Sequence, residues 1–381
     1  MKKRKISYAQ VGDDYYTKDP IKKMAQLFAR QTIIKDKSGF KEISDSRGES
    51  AFVWSLDRVY PERSRRTRDK QAPLFASVVE GLGTKNLVAD AMRQITGRTY
   101  YDIIGHDTVA TIINDLVTVG AKPRVVHAYW AIEDNSWFAD QKRTRDFIVG
   151  WRDACKLSMA TWGGGETPTL KGIVKKNTVD LGGAAIGVID PKERLITDQK
   201  LKAGDRILLL GSTGINCNGL SLARAITLSL SKGYATKLKN GKMYGEAVLT
   251  KTNIYARLIQ ELLESGVNIH YISNITGHGL RKIMRARGNF TYVVEKVFEP
   301  QEVFLFIQKQ TNLSDYEIYQ TLNMGQDYAI FMPSKFIKKA QSIVAKNGFE
   351  SLDAGFVKTG ERKVIIKPKN LTYTSETLDL R

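Results

Sequence analysis

The clearest periodicity of apolar and polar positions lies at residues 102–123, DIIGHDTVATIINDLVTVGAKP. At about 100° per residue, Val109, Ile112, Ile113, Leu116 and Val117 gather on one side of a helix, and Asp107, Thr111, Asn114, Asp115 and Thr118 on the other. Gly120 and Pro123 stop that helix. Upstream, the apolar, partly β-branched run at 72–79 predicts a buried strand, and residues 86–95 a short helix ended by Gly97. Downstream, RVVHAYWAI at 124–132 predicts a strand and residues 141–160 a second amphipathic helix. WGGGETPTLKGIV at 162–174 reads as a glycine-rich turn, and residues 178–190 as a further strand. The pattern then restarts: a polar connector, a turn at 203–205, an apolar strand, a glycine loop at 212–221 and a helix. A helix at 253–265 and a mixed tail follow, while the first seventy residues are polar and turn-rich, with one helical stretch around 20–31 and a basic loop at 63–70.

Strands and helices interleave throughout, so the expected class is α/β (α+β). A chain of 381 residues exceeds what one core organises, and the restart places two domains at 1–190 and 191–381. Hydrophobic residues at 42% and charged residues at 26% are the balance of an ordinary globular protein. No apolar run approaches the roughly 20 residues of a membrane helix, and the basic start has no apolar stretch after it, so no secretory signal is expected. Cys155 and Cys217, the only cysteines, exclude a disulfide framework and a cysteine-rich zinc site, and point to a reducing cytoplasm. The net charge of +19 favours anionic partners, or else reflects a solvated Lys/Arg surface.

Candidate chemistry begins at VVEGLGTKNLVAD, residues 78–90. One residue between Gly81 and Gly83 is too few for a P-loop, and no third glycine completes a dinucleotide fingerprint. What remains is a strand end whose glycines let backbone N–H groups approach an anion, with Lys85 as a point charge, or else a plain strand-to-helix turn. On the following helix, Asp107 and Asn114 share a face, and Asp115 sits about 12 Å along the axis from Asp107. Those carboxylates are too far apart for one ion but suit separate magnesium ions on a polyphosphate; the bland reading is a solvated stripe. Glu166 sits in GGGETP, STGINCNGLS at 212–221 opens a helix, and His270 and His278 fall in NIHYISNITGHGLRK without the spacing of a metal pair.

In this order, the segments resemble one family. The strand with Gly-x-Gly-Thr-Lys, the Asp…Asn-Asp-Leu helix, Gly-Gly-Glu-Thr, Gly…Asn-Gly-x-Ser, Thr-Gly-x-Gly and YQTLNMG together look like phosphoribosylformylglycinamidine cyclo-ligase, or AIR synthetase. The likeness runs from SYAQVGDDYY at 7–16 to DAGFVKTGERKVIIKP at 353–368. It implies an N-terminal mixed-sheet domain that binds ATP and forms a homodimer through its strands, with a C-terminal α/β domain covering it. It implies ATP-dependent closure of formylglycinamidine ribonucleotide to aminoimidazole ribonucleotide, in the cytoplasm, with ATP and Mg²⁺. Carried over residue by residue, Gly81, Gly83, Thr84, Lys85, Asn114, Gly164, Gly165, Glu166, Thr167, Thr276 and Gly277 would bind ATP or phosphate. Glu80, Asp107 and Asp115 would hold metal, and Lys85, Asp115 and His270 would be catalytic.

The chain departs from the family pattern at four places. Glu80 replaces an aspartate, Asn216 a histidine, and His278 a glycine, and Pro168 and Thr169 stand where a second acid is usual. DSRGESAF at 45–52 also matches the family's early glycine-rich loop poorly. Asn216 can hydrogen-bond but cannot carry a proton at neutral pH, so His270 or His278 would have to. Two alternatives stay open: an ATP-using relative of the selenophosphate synthetase or thiamine-monophosphate kinase kind, and a non-catalytic nucleotide- or nucleic-acid-binding protein. Against nucleic acid stands the lack of any recognised binding motif.

Overall fold

The computed structural model describes residues 40–56 and 73–378, with scattered positions between 20 and 33. The expected basic loop at 63–70 lies outside the described residues, as does much of the helix expected around 20–31.

In the first half, β1 (Phe40–Glu42), β2 (Phe52–Leu56), β3 (Leu74–Gly81), β4 (Lys122–Ile132), β5 (Thr161–Glu166) and β6 (Val179–Ile189) form a sheet ordered β1-β2-β3-β6-β4-β5. Only β4 and β5 run parallel. The helices are α1 (Lys85–Thr96), α2 (Tyr101–Leu116), α3 (Ser136–Ala139) and α4 (Gln141–Leu157). Helix α2 packs on β3 and β6, and α4 packs on α2. The two helices cross closely because Gly105 and Gly150 face each other's backbones: a Cβ on either would overlap Phe147 O or Asp102 O.

Two sequence expectations change here. The run at 72–79 is a strand but is not buried on both faces. Leu74, Ala76 and Val78 point into the core, while Val79 on the other face is 78% exposed. An apolar outer face makes a one-sided strand read as a continuous buried run. The glycine-rich segment at 162–174 begins as a strand, not a turn: Trp162 opposes Val126 and Gly165 opposes Ala128, so Gly163 and Gly164 together face His127 in a bulge. Gly165 has no room for a Cβ against Ala128, and Gly164 has φ +98°. The glycines serve strand pairing.

The second half holds β7 (Arg206–Gly211), β8 (Tyr271–Asn274), β9 (Phe290–Val294), β10 (Gln326–Met332), β11 (Ser351–Thr359), β12 (Lys363–Ile366) and β13 (Leu371–Thr374). Their order is β13-β12-β9-β11-β7-β10-β8. Helices α5 (Leu220–Ala225), α6 (Tyr244–Val248), α7 (Ala256–Glu264), α8 (Glu302–Thr311), α9 (Asp315–Tyr319) and α10 (Ile337–Lys346) flank it. Leu208, Leu209 and Leu210 of β7 are fully buried, which is why this strand was so legible as an apolar run.

The polar face of α2 is neither solvated nor wholly a ligand site. Much of it is the seam between the halves. Thr252 N donates to Asp107 Oδ1 at 2.9 Å, Asn114 Nδ2 donates to Asn253 O at 2.7 Å, and Tyr255 N donates to Asn114 Oδ1 at 3.1 Å. His106 Nε2 lies 2.9 Å from Thr252 O, and Tyr328 Oη donates to Asn114 O. A short segment between α6 and α7 is thereby stitched to a helix of the other sheet. Buried backbone groups need partners, and here the partner helix supplies them.

Candidate functional site

A cavity of about 330 Å³ opens beside this seam, within the range of small-molecule sites. From the first half it is lined by Glu80 and Gly81 at the end of β3 and by Thr111, Asn114 and Asp115 on α2. From the second half come Asn216–Asn218 before α5, Thr252 and Tyr255, Asn274 at the end of β8, and Thr276–His278 just beyond it. Lys282, Arg285, Asp327 and Tyr328 complete that wall. The turn Gly48–Ser50 reaches over from the first sheet. Arg285 anchors it, donating to Ser50 Oγ at 2.6 Å and Gly48 O at 2.9 Å, while Tyr271 Oη donates to Glu49 Oε2 at 3.0 Å.

Of the residues singled out from sequence, Glu80, Gly81, Asn114, Asp115, Thr276 and Gly277 line this cavity. Asp115 is steadied by Asn274, whose Nδ2 donates to Oδ1 at 2.6 Å. Gly83, Thr84, Gly164, Gly165, Glu166 and Thr167 do not line it. Glu166 is exposed at the edge strand, its Oε1 accepting from Thr167 N at 3.1 Å.

Lys85 and Asp107 lie away from the cavity, in the seam between the halves. Both side chains are completely buried, with Nζ 2.5 Å from Asp107 Oδ2 and 2.8 Å from Thr250 O. Asp107 Oδ1 accepts from Thr252 N, so both oxygens already serve the seam, and the side chain does not reach the cavity. The lysine that was to face phosphate neutralises a buried acid in the seam instead, because an ion inside protein must be paired.

His270 also lies outside the cavity lining. It precedes β8, whereas Asn274 at the strand's other end meets the cavity, about 13 Å away at strand rise. Its Nδ1 lies 2.8 Å from Asp205 Oδ2 and its Nε2 3.0 Å from Asn268, ties that pin β8 to the turn before β7. His278 is in the cavity wall, almost fully buried.

Sequence reasoning missed Asp327, Tyr255, Lys282, Arg285 and Glu49 as cavity residues. Asp327 is buried, with Tyr255 Oη donating to Oδ2 and Asn216 Nδ2 to Oδ1, each at 2.7 Å. Burial pushes its carboxyl up to about 7, against the opposing pull of the Tyr255, Asn216 and Asn253 hydrogen bonds. An acid inside the apolar strand QDYAIFM was the available signal. Burial, and then the Asp107 charge, push the Cys217 thiol up to about 11, which keeps it protonated and unsuited to nucleophilic attack at neutral pH.

As candidate cation ligands, Glu80 and Asp115 share one cavity, whereas Asp107 does not fit. Mg²⁺ commonly takes one or two carboxylates and completes its shell with phosphate oxygens and water. The basic Lys282 and Arg285, with backbone at Thr276–Gly277, suit an anionic ligand.

Comparison with known proteins fits this two-sheet architecture. Phosphoribosylformylglycinamidine cyclo-ligase of Carboxydothermus hydrogenoformans is 31% identical over 77% of this chain and 83% of its own length. The protein of that name from Methanococcus maripaludis is 29% identical over 95% of this chain and all of its own. Among solved structures, the hydrogenase maturation protein HypE in complex with ATP has TM-score 0.56 at 15% identity, covering 83% of this chain and 87% of that one. PurL of T. maritima complexed with ATP has TM-score 0.51 at 14% identity, covering 80% of this chain and 44% of that one. These two likenesses concern the fold. Residues 71–189 match the N-terminal domain, and residues 202–367 the C-terminal domain, of the AIR synthase related proteins, and the chain belongs to that family.

Proposed function

We propose that this protein closes the imidazole ring of a purine precursor, converting formylglycinamidine ribonucleotide and ATP into aminoimidazole ribonucleotide, ADP and phosphate. The observation that carries the reading is the interdomain cavity, which sets the carboxylates of Glu80 and Asp115 against the cationic Lys282 and Arg285 in a protein related to cyclo-ligases. The formyl oxygen is a poor leaving group until a phosphoryl group is placed on it. The protein's work is then to hold two anionic reactants together and neutralise their charge. Glu80 and Asp115 would hold Mg²⁺, which would screen the polyphosphate. Lys282, Arg285 and the Thr276–Gly277 backbone would bind phosphate oxygens.

The test is direct. Purified protein with ATP, Mg²⁺ and formylglycinamidine ribonucleotide should yield ADP and aminoimidazole ribonucleotide in equal amounts, and EDTA should stop both. Asp115→Ala should lower kcat at least about 100-fold while leaving the thermal midpoint close to wild type. Absence of substrate-dependent ADP would sink the reading. Because Glu80, Asn216 and His278 all face the cavity, the same assay with a panel of other phosphate acceptors separates a relative of different substrate.

The homodimer belongs to the same proposal. On the outer face of the first sheet Val79 is 78%, Tyr129 40% and Ile186 37% exposed. Phe52, Trp54 and Phe75 stack in a row across β2 and β3, with ring centroids 6.0 and 5.9 Å apart. Such an apolar face suits a second copy of this chain. Cytoplasmic residence is supported by Cys155 and Cys217, both free thiols, and no helix among the described residues is long and apolar enough to cross a membrane.

A further inference from the structure

Asp327 is a buried acid in a strand that carries no other charge. All seven residues of β10 are buried, and the other six are apolar or neutral. Between Gln326, opposite Gly211, and Tyr328, opposite Leu210, the register slips, so Asp327 is the bulged residue. A bulge re-aims one side chain out of the strand's alternation, and here it turns the carboxyl into the cavity wall. Its backbone carbonyl is still satisfied, accepting from Ile275 N at 2.7 Å.

Among the described residues no lysine, arginine or histidine forms an ion pair with Asp327. The groups that face it are hydrogen-bond donors: Tyr255 and Asn253 from the segment before α7, and Asn216 from the loop before α5. The nearby Tyr328 hydroxyl turns to Asn114 O. The other charged and titratable groups of the cavity are Glu49, Glu80, Asp115, Cys217, His278, Lys282 and Arg285. A buried acid without a cation costs free energy that a neutral side chain would avoid.

Asn216 explains how the acid can change state in place. Its φ of 57° lies in the left-handed region, which asparagine tolerates, and this presents the amide to the carboxyl. Asn216 Nδ2 donates to Asp327 Oδ1, while Asn216 Oδ1 is buried with no hydrogen-bond partner. Rotation of the amide exchanges the two atoms: nitrogen serves the carboxylate, and oxygen accepts from the protonated acid. Residue 216 is the position where a titratable histidine is expected and an asparagine stands.

We propose that Asp327 is the proton acceptor of the ring closure, held by Tyr255 and Asn216 and supplying the titratable group that residue 216 lacks. This rests on the cyclo-ligase reading above. As the amidine nitrogen forms its C–N bond to the activated formyl carbon, the C–O bond breaks and phosphate leaves with its electron pair. The proton shed by that nitrogen passes to an Asp327 oxygen and then to solvent. ATP is the source of the phosphoryl group. The carboxyl's rise to about 7 by burial matches it to a base working at neutral pH.

The experiment has two arms. Infrared titration of the wild-type protein should show a carboxylic-acid carbonyl band lost as pH rises through about 7, and Asp327→Asn should lack it. A band that persists in the variant, or none between pH 6 and 8, overturns the proposal without reference to any substrate. In the second arm, kcat/KM for ring closure should rise with pH through the same range. Asp327→Asn should lose about 100- to 10,000-fold in kcat with the Kd for ATP changed only a few-fold, and Asp327→Glu should recover part. Tyr255→Phe, nearly isosteric and lacking the donor to the carboxylate, should move the limb to higher pH. A wild type that turns over and an Asp327→Asn that matches it would eliminate Asp327 alone. A wild type that gives no product from the ribonucleotide would eliminate the cyclo-ligase reading, and with it this role.

Discussion

Single residues here are decided by what they are buried beside. Lys85 stands in a glycine-flanked loop that reads as an anion cradle, yet its ammonium is fixed on Asp107 and Thr250 O away from solvent. Lys85→Met should therefore destabilise the protein by about 3–5 kcal/mol, because it leaves the Asp107 charge unpaired. Lys85→Met with Asp107→Leu should recover much of that loss in urea denaturation. If Lys85→Met is as stable as wild type and only turnover falls, the buried pairing is not what the lysine is for. Asp327 predicts a pH effect on stability. Its folded carboxyl is raised to about 7 from the ordinary value of 3.8. The folded state thus holds the proton more tightly than the unfolded chain. That contribution is complete below the unfolded value and is lost as pH rises from there through about 7. Asp327→Asn removes the dependence, so relative to wild type it should gain a few kcal/mol between pH 4 and pH 8 in chemical denaturation. The Lys85 role was unreadable from sequence because its partners are 22 and 165 positions away. Asp327 was readable in principle, as an acid in an apolar strand.

At the scale of elements, helix α2 carries the most information. Its apolar stripe is legible in the sequence, and the structure lays that face on the first sheet, with Ile112, Ile113 and Leu116 fully buried. Its polar stripe was assigned to solvent or ligand, and is divided between seam and cavity. A 3.6-residue period says which face is polar, and says nothing about what that face meets. Asn114→Ala should cost about 1–3 kcal/mol, because Tyr255 N and Asn253 O would both lose their partner. Urea unfolding reads this, and a silent substitution would mean that the seam contributes nothing to stability. The bulges in β5 and β10 teach the opposite lesson. Gly163–Gly165 read as a loop because three glycines are poor strand formers, but pairing with β4 and the close approach to Ala128 override propensity.

At the scale of the whole molecule, two sheets meet along one helix and leave a cavity beside the joint. The exposed row on the outer face of the first sheet is the remaining large feature. The full-length protein should sediment as a dimer, and Val79→Lys should shift it to monomer, because a charge on an apolar contact face is left unpaired when the face is covered. A wild-type monomer at micromolar concentration would remove the dimer from the proposal. By itself the sequence determined the alternation of strands and helices, the two-part organisation and the family resemblance, because periodicity and short glycine motifs are local properties. Through the family resemblance it grouped Glu80, Asp115 and Thr276–Gly277 with a larger set of residues, of which Lys85, Asp107 and His270 lie away from the cavity. The tertiary structure alone decided which polar residues face the cavity. It turned Lys85 and Asp107 into the seam, set His270 at the far end of its strand, and brought Asn216 to Asp327 across 111 positions. Those outcomes depend on pairing and burial between segments remote in sequence, which no local pattern encodes.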